Sequence, residues 1–329
     1  MRCHNRDVDA ESRWKPGIAK LVWLNMSLEK APHVTIIVVT FKALNDTLEC
    51  LDSISKMTYS NLRVILVDQN SQDGTVEAVR GQFPRVDLIE NLTNDGFTGG
   101  NNLGLRAAME QPTAYVLLLN NDTIVEPGLL EKLLAPMETD MTVGIIGPTM
   151  LFYKEPNTIC WAGSYVDWRG WAHIYGYGQL IGAIDMQPRE TGYVAGCGMM
   201  IRRALLEEVG FFDNRFFIYY EEVDLCARAR RAGWRVMYLP SAKMWHKISR
   251  VTELLGRDFA LYHMQRNRLL YLWKDGNPRL LCCLWCIASG LRAAVSLCLK
   301  GERHQEVVLL RALRDSLSNR WGNTFFSYM

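Results

Sequence analysis

Two adjacent glutamates, Glu221 and Glu222, follow the aromatic run FFIYY. A carboxylate held beside aromatic walls loses hydration, keeps its proton to higher pH and can serve as a general base at a cleft. Acids that simply open a helix, favoured by its dipole, are the plainer alternative. In LLLNNDT (117–123), Asp122 stands just past an apolar run, where a carboxylate can hold Mg²⁺ or Mn²⁺ against a diphosphate. A helix N-cap is the alternative there, because Glu126 and Pro127 open a helix close behind. In VDQNSQDGT (67–75), Asp68 ends a run of strand-forming residues and can accept a base imide N–H or a ribose hydroxyl. The alternative is a turn with an Asx cap. The segment NDGFTGGNNLG (94–104) lets backbone approach a diphosphate or sugar closely. It lacks both the G-K-[ST] ending of a Walker loop and the G-x-G-x-x-G spacing of dinucleotide enzymes.

These residues need elements to position them. Val34–Val39 is a continuous β-branched run, as in a strand buried on both faces. Leu44, Leu48, Leu51 and Ile54 recur at helical spacing, with Asp46 and Glu49 placed like a capping box. Strands are predicted over 64–67, 86–89, 115–119 and 143–146, and helices over 75–83, 101–110 and 126–137. Alternating strands and helices imply a parallel sheet covered on both faces, with ligands beyond the strands' carboxyl ends. Thr40, Asp68 and Asn120 to Asp122 stand at such ends. Residues 150–195 are aromatic and glycine-rich, which predicts short strands and loops. Residues 196–247 return to mixed helix and strand, and beyond Phe259 the chain is helical, apolar and basic.

The chain has 329 residues, of which 49% are hydrophobic and 22% charged, which excludes disorder, collagen and coiled coil. Lys and Arg total 37 and Asp and Glu 35, a balance that gives no support for nucleic-acid binding. The 9 cysteines include no paired zinc spacing; Cys283 and Cys286 form a C-x-x-C inside an apolar run. Reduced thiols in a cytoplasmic protein are the expectation. The first 30 residues have no apolar core of signal-peptide length, and nothing directs the chain to secretion.

Seven segments then appear in one order: VVTFKALNDTLECLDSI, VILVDQNSQDGT, NDGFTGGNNLG, YVLLLNNDT, AGCGMMIRR, FFDNRFFIYYEEVDLCARARRAGW and the histidine of MWHK. The ordered set resembles family 2 glycosyltransferases of the GT-A fold, and most closely their rhamnosyltransferase-like branch, which builds bacterial surface polysaccharides. The resemblance implies a mostly parallel, Rossmann-like α/β sheet flanked by helices, with a helical C-terminal appendage. It divides the chain into a leader (1–32), a catalytic domain (33–250) and a helical region (251–329). Within the catalytic domain, 33–150 is the nucleotide-sugar half and 151–250 the acceptor half.

The implied reaction is inverting transfer from a nucleotide-diphospho sugar to an acceptor hydroxyl, assisted by Mg²⁺ or Mn²⁺. By the same resemblance, Thr40 and Phe41 frame the base, and Asp68 and Asn70 hold base or ribose. Gly99, Gly100, Asn101 and Asn121 line the donor, and Asp122 and His246 hold the metal. Glu221 or Glu222 is the base, with Glu222 favoured because the second acid fills that role in several relatives. Asn120 stands where the D-x-D motif starts with an acid, and the Glu-Glu pair replaces the usual Glu-Asp. Only one of two adjacent glutamates is expected to aim at the acceptor, the other pairing with an arginine or capping the helix. Asp224 is the next candidate. One basic carboxylate suffices for direct displacement, whereas a retaining hydrolase needs two separated ones. Thymidine-diphospho-rhamnose is the first expected donor and a uridine-diphospho sugar the second. The acceptor is a glycan or is lipid-linked.

Residues 280–299 carry one charge, Arg292, in 20 residues. A spanning helix, an interfacial helix and packing within the fold or a homodimer all stay open. Arg266, Arg268, Lys274 and Arg279 favour an anionic surface and a peripheral place at the inner face of the cell membrane. Two other functions compete. A nucleotidyltransferase wants a basic glycine-rich loop directly after the first strand, which VVTFKALND does not supply. A non-catalytic carbohydrate-binding relative is expected to lose acids that this chain keeps.

Overall fold

The computed structural model describes residues 31–248, 250–275, 279–299 and 303–323. The leader expected over 1–32 lies outside these residues except for its last two. The chain runs β1 (Val34–Thr40), α1 (Leu44–Ser55), β2 (Leu62–Gln69), α2 (Thr75–Gln82), β3 (Asp87–Asn91), α3 (Gly96–Met109) and β4 (Tyr115–Asn120). It continues β5 (Thr123–Val125), α4 (Leu129–Thr139), β6 (Val143–Phe152), β7 (Ile159–Trp161), β8 (Ser164–Val166), β9 (Ala172–Ile174), β10 (Arg189–Glu190) and β11 (Gly198–Arg202). Then come α5 (Arg203–Val209), α6 (Glu221–Arg231), β12 (Arg235–His246), α7 (Arg250–Asp275), α8 (Arg279–Leu299) and α9 (Arg303–Leu317).

The main sheet has the order β10-β12-β6-β11-β4-β1-β2-β3. β4, β1, β2 and β3 run parallel, and so do β6 and β12; β11 is antiparallel to both β4 and β6. The six long strands other than β11 therefore point one way. In β1 and β4, at the centre of the sheet, the β-branched and leucine runs are buried almost throughout: Ile36, Ile37, Val38, Leu117 and Leu118 are fully enclosed. The chain steps outward from β1 to β3, then crosses back so that β4 lies on β1's other side. That reversal opens a crevice beyond the carboxyl ends of β1 and β4, where Val39 faces Asn120 across the ladder.

Three local expectations change. Asp46 and Glu49 do not cap α1; both grip Lys247 Nζ, at 2.8 and 2.6 Å, and Asp73 accepts the Leu44 N–H at the helix start. The glycine-rich segment is not a loop, because α3 begins at Gly96. A Cβ at Gly100 would meet Val39 and Gln69, and one at Gly104 would meet Ile37. These glycines let α3 lie close on β1 and β2. β6 runs past the Gly147-Pro148 pair that predicted its end, and its register with β12 shifts just after Pro148.

The C-terminal helices pack on Phe217, just before α6, through Phe259, Tyr262, Val308 and Ala312. Among the described residues no helix is long and apolar enough to cross a membrane, which removes the spanning alternative for 280–299. Three of the four basic residues expected at an anionic surface turn inward; the Arg279 side chain lies outside the described residues. Arg266 and Arg268 are buried, Arg268 stacks 3.7 Å over the Trp171 ring, and Lys274 pairs with Asp213 and Asp224. Cys50, Cys160, Cys197, Cys226 and Cys298 are free thiols.

Candidate active site

A cavity of about 560 Å³ opens at the crevice between β1 and β4. Thr40, Phe41, Asn121, Glu221, Glu222 and His246 all contribute to its wall. Six expected site residues, drawn from four segments of the chain, thus meet in one place.

Asp68 lies beside the cavity at the end of β2, in register with Thr40. One carboxylate oxygen accepts the Ser71 N–H at 3.0 Å; the other, Oδ1, is buried with no hydrogen-bond partner in the protein. A buried acceptor left open costs free energy unless a ligand fills it. Asn70 is exposed, left-handed at φ 59°, and tied only to Gln72. Thr40 and Asn121 face the cavity but are held in a knot: Asn121 Nδ2 donates to the hydroxyls of Thr40 and Thr47, each at 3.2 Å. Gly99, Gly100 and Asn101 do not line the wall. Asn101 donates to Phe97 O within α3, and its Oδ1 is a second buried acceptor with no partner.

Asp122 and His246 are 124 residues apart in sequence. The short β5 strand brings them together by pairing with the end of β12, Thr123 opposite His246. His246 Nε2 then lies 3.1 Å from Asp122 Oδ1. Burial works against a charged imidazole here, but Cys197, Asp122 and Cys160 around it win and hold its pKa well above the usual histidine value. Asp122 is not an N-cap: it sits in the turn between β4 and β5, six residues before α4's cap.

Glu221 and Glu222 open α6, and both face the cavity. They manage this because the backbone before them is left-handed. Phe217, Tyr219 and Tyr220 have φ of 68°, 68° and 73°. Non-glycine residues held there cost on the order of 1–3 kcal/mol each and persist only where surroundings fix them. Neither glutamate pairs with an arginine: Arg228 binds Asp224 instead, at 2.8 Å, and no ion pair to Glu221 or Glu222 forms among the described residues. Asp224, also held by Lys274, stays out of the cavity wall. Burial is the main force on both glutamates. It pushes Glu222 up to about 7, and burial together with the Glu222 charge pushes Glu221 further above its usual range. Backbone N–H groups at the start of α6, the Glu222 N–H foremost, and a hydrogen bond from Glu221 offset part of that rise at Glu222.

Several wall residues were not singled out by their chemistry. Gln69, next to Asp68, reaches the wall and accepts from Asn91 and from the Asp95 N–H through Oε1. Gly196 and Cys197 belong to AGCG, which follows no known spacing of reactive groups. Ile248, Phe259 and Asn323 come from the C-terminal part and had no sequence signal.

Residues 31–271 match the family described as Glycosyltransferase like family 2. The N-acetylglucosaminyl-diphospho-decaprenol L-rhamnosyltransferase of Mycobacterium tuberculosis is 26% identical over 263 residues, 72% of this chain and 82% of that one. The dTDP-rhamnosyl transferase RfbF of Shigella flexneri is 24% identical over 265 residues, 76% of this chain and 83% of its own. Among solved structures, a mannosyltransferase from Pyrobaculum calidifontis in complex with GDP-Man and Mn²⁺ superposes with a TM-score of 0.55 at 19% identity, covering 92% of this chain and 96% of that one. The sheet order, the crevice and these likenesses agree on a GT-A fold, and the chain belongs to glycosyltransferase family 2.

Proposed function

We propose that this glycosyltransferase moves rhamnose, with inversion, from thymidine-diphospho-rhamnose to a hydroxyl of a lipid-linked glycan during surface polysaccharide synthesis. One observation carries the reading: a single cavity at the sheet's reversal is walled by a carboxylate pair without a counter-ion and by His246, which is itself paired with Asp122. The names of the mycobacterial and Shigella relatives support the sugar, and the decaprenol of the former supports the lipid. Work on such an acceptor suits a peripheral place at the inner face of the cell membrane.

Asp68 Oδ1 is the open acceptor for the base or ribose, and Phe41 lines the cavity. Asp122 and His246 suit a divalent cation. A hard oxygen and an imidazole nitrogen fit Mn²⁺ better than Mg²⁺. Among the described residues no cluster of three or more ligating side chains exists, so Asp122 and His246 would hold the cation together with the donor diphosphate. The bound cation would offset the charge gained by the leaving diphosphate. Glu222 takes the acceptor's proton as its oxygen attacks the anomeric carbon, while Glu221 keeps its own proton and so leaves one negative charge on the pair.

The test is a panel of nucleotide sugars with Mn²⁺ or Mg²⁺ and a polyprenyl-diphospho-glycan acceptor, the product's anomeric configuration being read by NMR. The expected result is an inverted rhamnoside from the thymidine donor. Preference for a uridine-diphospho sugar would replace the donor; retention at the anomeric carbon would overturn the mechanism.

A further inference from the structure

The turn that aims the glutamates is held from the C-terminal helical region. Asn267, on α7, is fully buried. Its Nδ2 lies 2.8 Å from Phe216 O, 2.7 Å from Ile218 O and 2.8 Å from Tyr219 O. Three carbonyls share two N–H groups, so the amide nitrogen is saturated as a donor. The other end of the amide is fixed too, because Arg266 Nε donates to Asn267 Oδ1 at 3.0 Å. Arg266 also reaches Phe216 O at 3.0 Å and Gly322 O at 2.6 Å, and Gly322 returns its N–H to Arg215 O at 2.9 Å. From the opposite side, Thr98 of α3 donates its N–H to Phe217 O at 3.0 Å. Gly96 has left-handed φ of 72°, and a Cβ there would stand 2.5 Å from Phe217 O. The turn is thus gripped between the donor-side helix and α7.

We propose that Asn267 is a positioning residue for catalysis: by gathering the carbonyls of Phe216, Ile218 and Tyr219 it fixes the left-handed turn that aims Glu221 and Glu222 into the cavity. This rests on the assignment of the base to that pair. The chemistry explains the residue type. An extended or helical turn would scatter these carbonyls, whereas the left-handed residues at Phe217 and Tyr219 converge them on one point. That point needs a neutral donor with an acceptor at its far end for Arg266, which asparagine supplies. Aspartate has the same shape but would set an acceptor against three carbonyls. Leucine would fill the space with no donor at all.

The experiment compares Asn267→Asp, Asn267→Leu and Asn267→Ser with the wild-type chain, using the donor that the wild type turns over fastest. Binding of the matching nucleoside diphosphate, read by calorimetry, certifies a folded donor site. The expected result is a kcat lower by about 10²-fold for Asp and Leu, since a displacement near 1 Å suffices for that. Donor KM and diphosphate affinity stay within about 2-fold, and Ser, with one donor, falls between. Three outcomes overturn the proposal: wild-type kcat in a variant that binds diphosphate, a loss of kcat matched by an equal loss of donor affinity, or failure of all three variants to bind diphosphate, which makes Asn267 a folding residue only. Glu221→Gln and Glu222→Gln run alongside. If neither lowers kcat, the base assignment falls whatever Asn267 does. If one abolishes turnover while Asn267→Asp does not, the positioning role alone falls.

Discussion

Two acidic centres with opposite electrostatics meet at the cavity, Asp122 through His246 on the wall and Glu221 and Glu222 directly. Asp122 is enclosed, yet it has His246 at 3.1 Å, and the imidazole's pKa is raised well above its usual value. Glu221 is similarly enclosed and Glu222 partly so, yet neither has an ion-pair partner among the described residues, and both pKa values are raised. In a medium of low effective dielectric, a paired charge is held and an unpaired one is expelled as a proton equilibrium near neutrality. The first centre therefore holds its charges as a pair, from which a cation would displace the imidazole's proton. The second is built to exchange a proton, as a base needs. Fold context sets the difference: pairing of β5 with β12 brings His246 to Asp122, whereas along α6 Arg228 binds Asp224 and not the glutamates.

Removing the exchangeable carboxylate gives the largest effect. Glu222→Gln should lower kcat by ~10²–10⁴-fold, the usual worth of general-base catalysis, with nucleoside-diphosphate affinity unchanged in calorimetry. Glu221→Gln, which keeps a neutral hydrogen-bonding group where a protonated acid stood, should cost far less. If the two effects are reversed, the base is Glu221 and the proton sits on the other partner. Equal wild-type rates in both would end the contrast between the centres.

The Asp122–His246 centre should respond to metal, which competes there with the imidazole's proton. Asp122→Asn is expected to raise the Mn²⁺ concentration for half-maximal turnover by about 10²-fold, and His246→Ala by about 10-fold, since the imidazole is the weaker contributor of charge. Titration of turnover against Mn²⁺ in chelator-buffered solution reads both. Full activity in excess chelator would reduce Asp122–His246 to a structural pair.

How far the sequence reveals this contrast depends on the distance over which each feature is encoded. Asp68 and Asp122 are legible because each follows a buried run of aliphatic residues, so strand, strand end and polar group lie in one short window. The Asp122–His246 contact needs a three-residue strand to pair with the last turn of a distant one, and nothing local signals it. The left-handed turn is also invisible. Aromatic residues have no preference for positive φ, and Asn267, which holds the turn, lies about 50 residues downstream. The glycines of α3 carried a readable clue. Gly96, Gly100 and Gly104 recur at i, i+4 and i+8, the spacing of one helix face, which points to close packing on a sheet as readily as to a loop. Arg266 and Arg268 misled because cations on a helix usually face solvent; here backbone carbonyls and a tryptophan ring receive them.

The smallest effect is on stability, and its sign sharpens the comparison. Glu222 has its pKa raised from 4.5 to about 7 in the folded chain. Between those values the native state binds more protons than the unfolded state. Stability therefore falls as pH rises from about 4.5 through 7, because ionisation is easier once the chain unfolds. Glutamine has no proton to lose and escapes this penalty. Glu222→Gln should then match the wild-type melting temperature near pH 4.5 and exceed it above pH 7. The shift corresponds to on the order of 3 kcal/mol at most, and sharing of the charge with Glu221 reduces it. At ~2–4 °C per kcal/mol for a chain of this size class, a rise of about 5 °C at pH 8 is expected. A variant that is less active yet more stable is the signature of a carboxylate held against its own solvation for function. A melting temperature below wild type across the whole range would instead mean that favourable contacts hold Glu222 ionised, and the two acidic centres would then be alike.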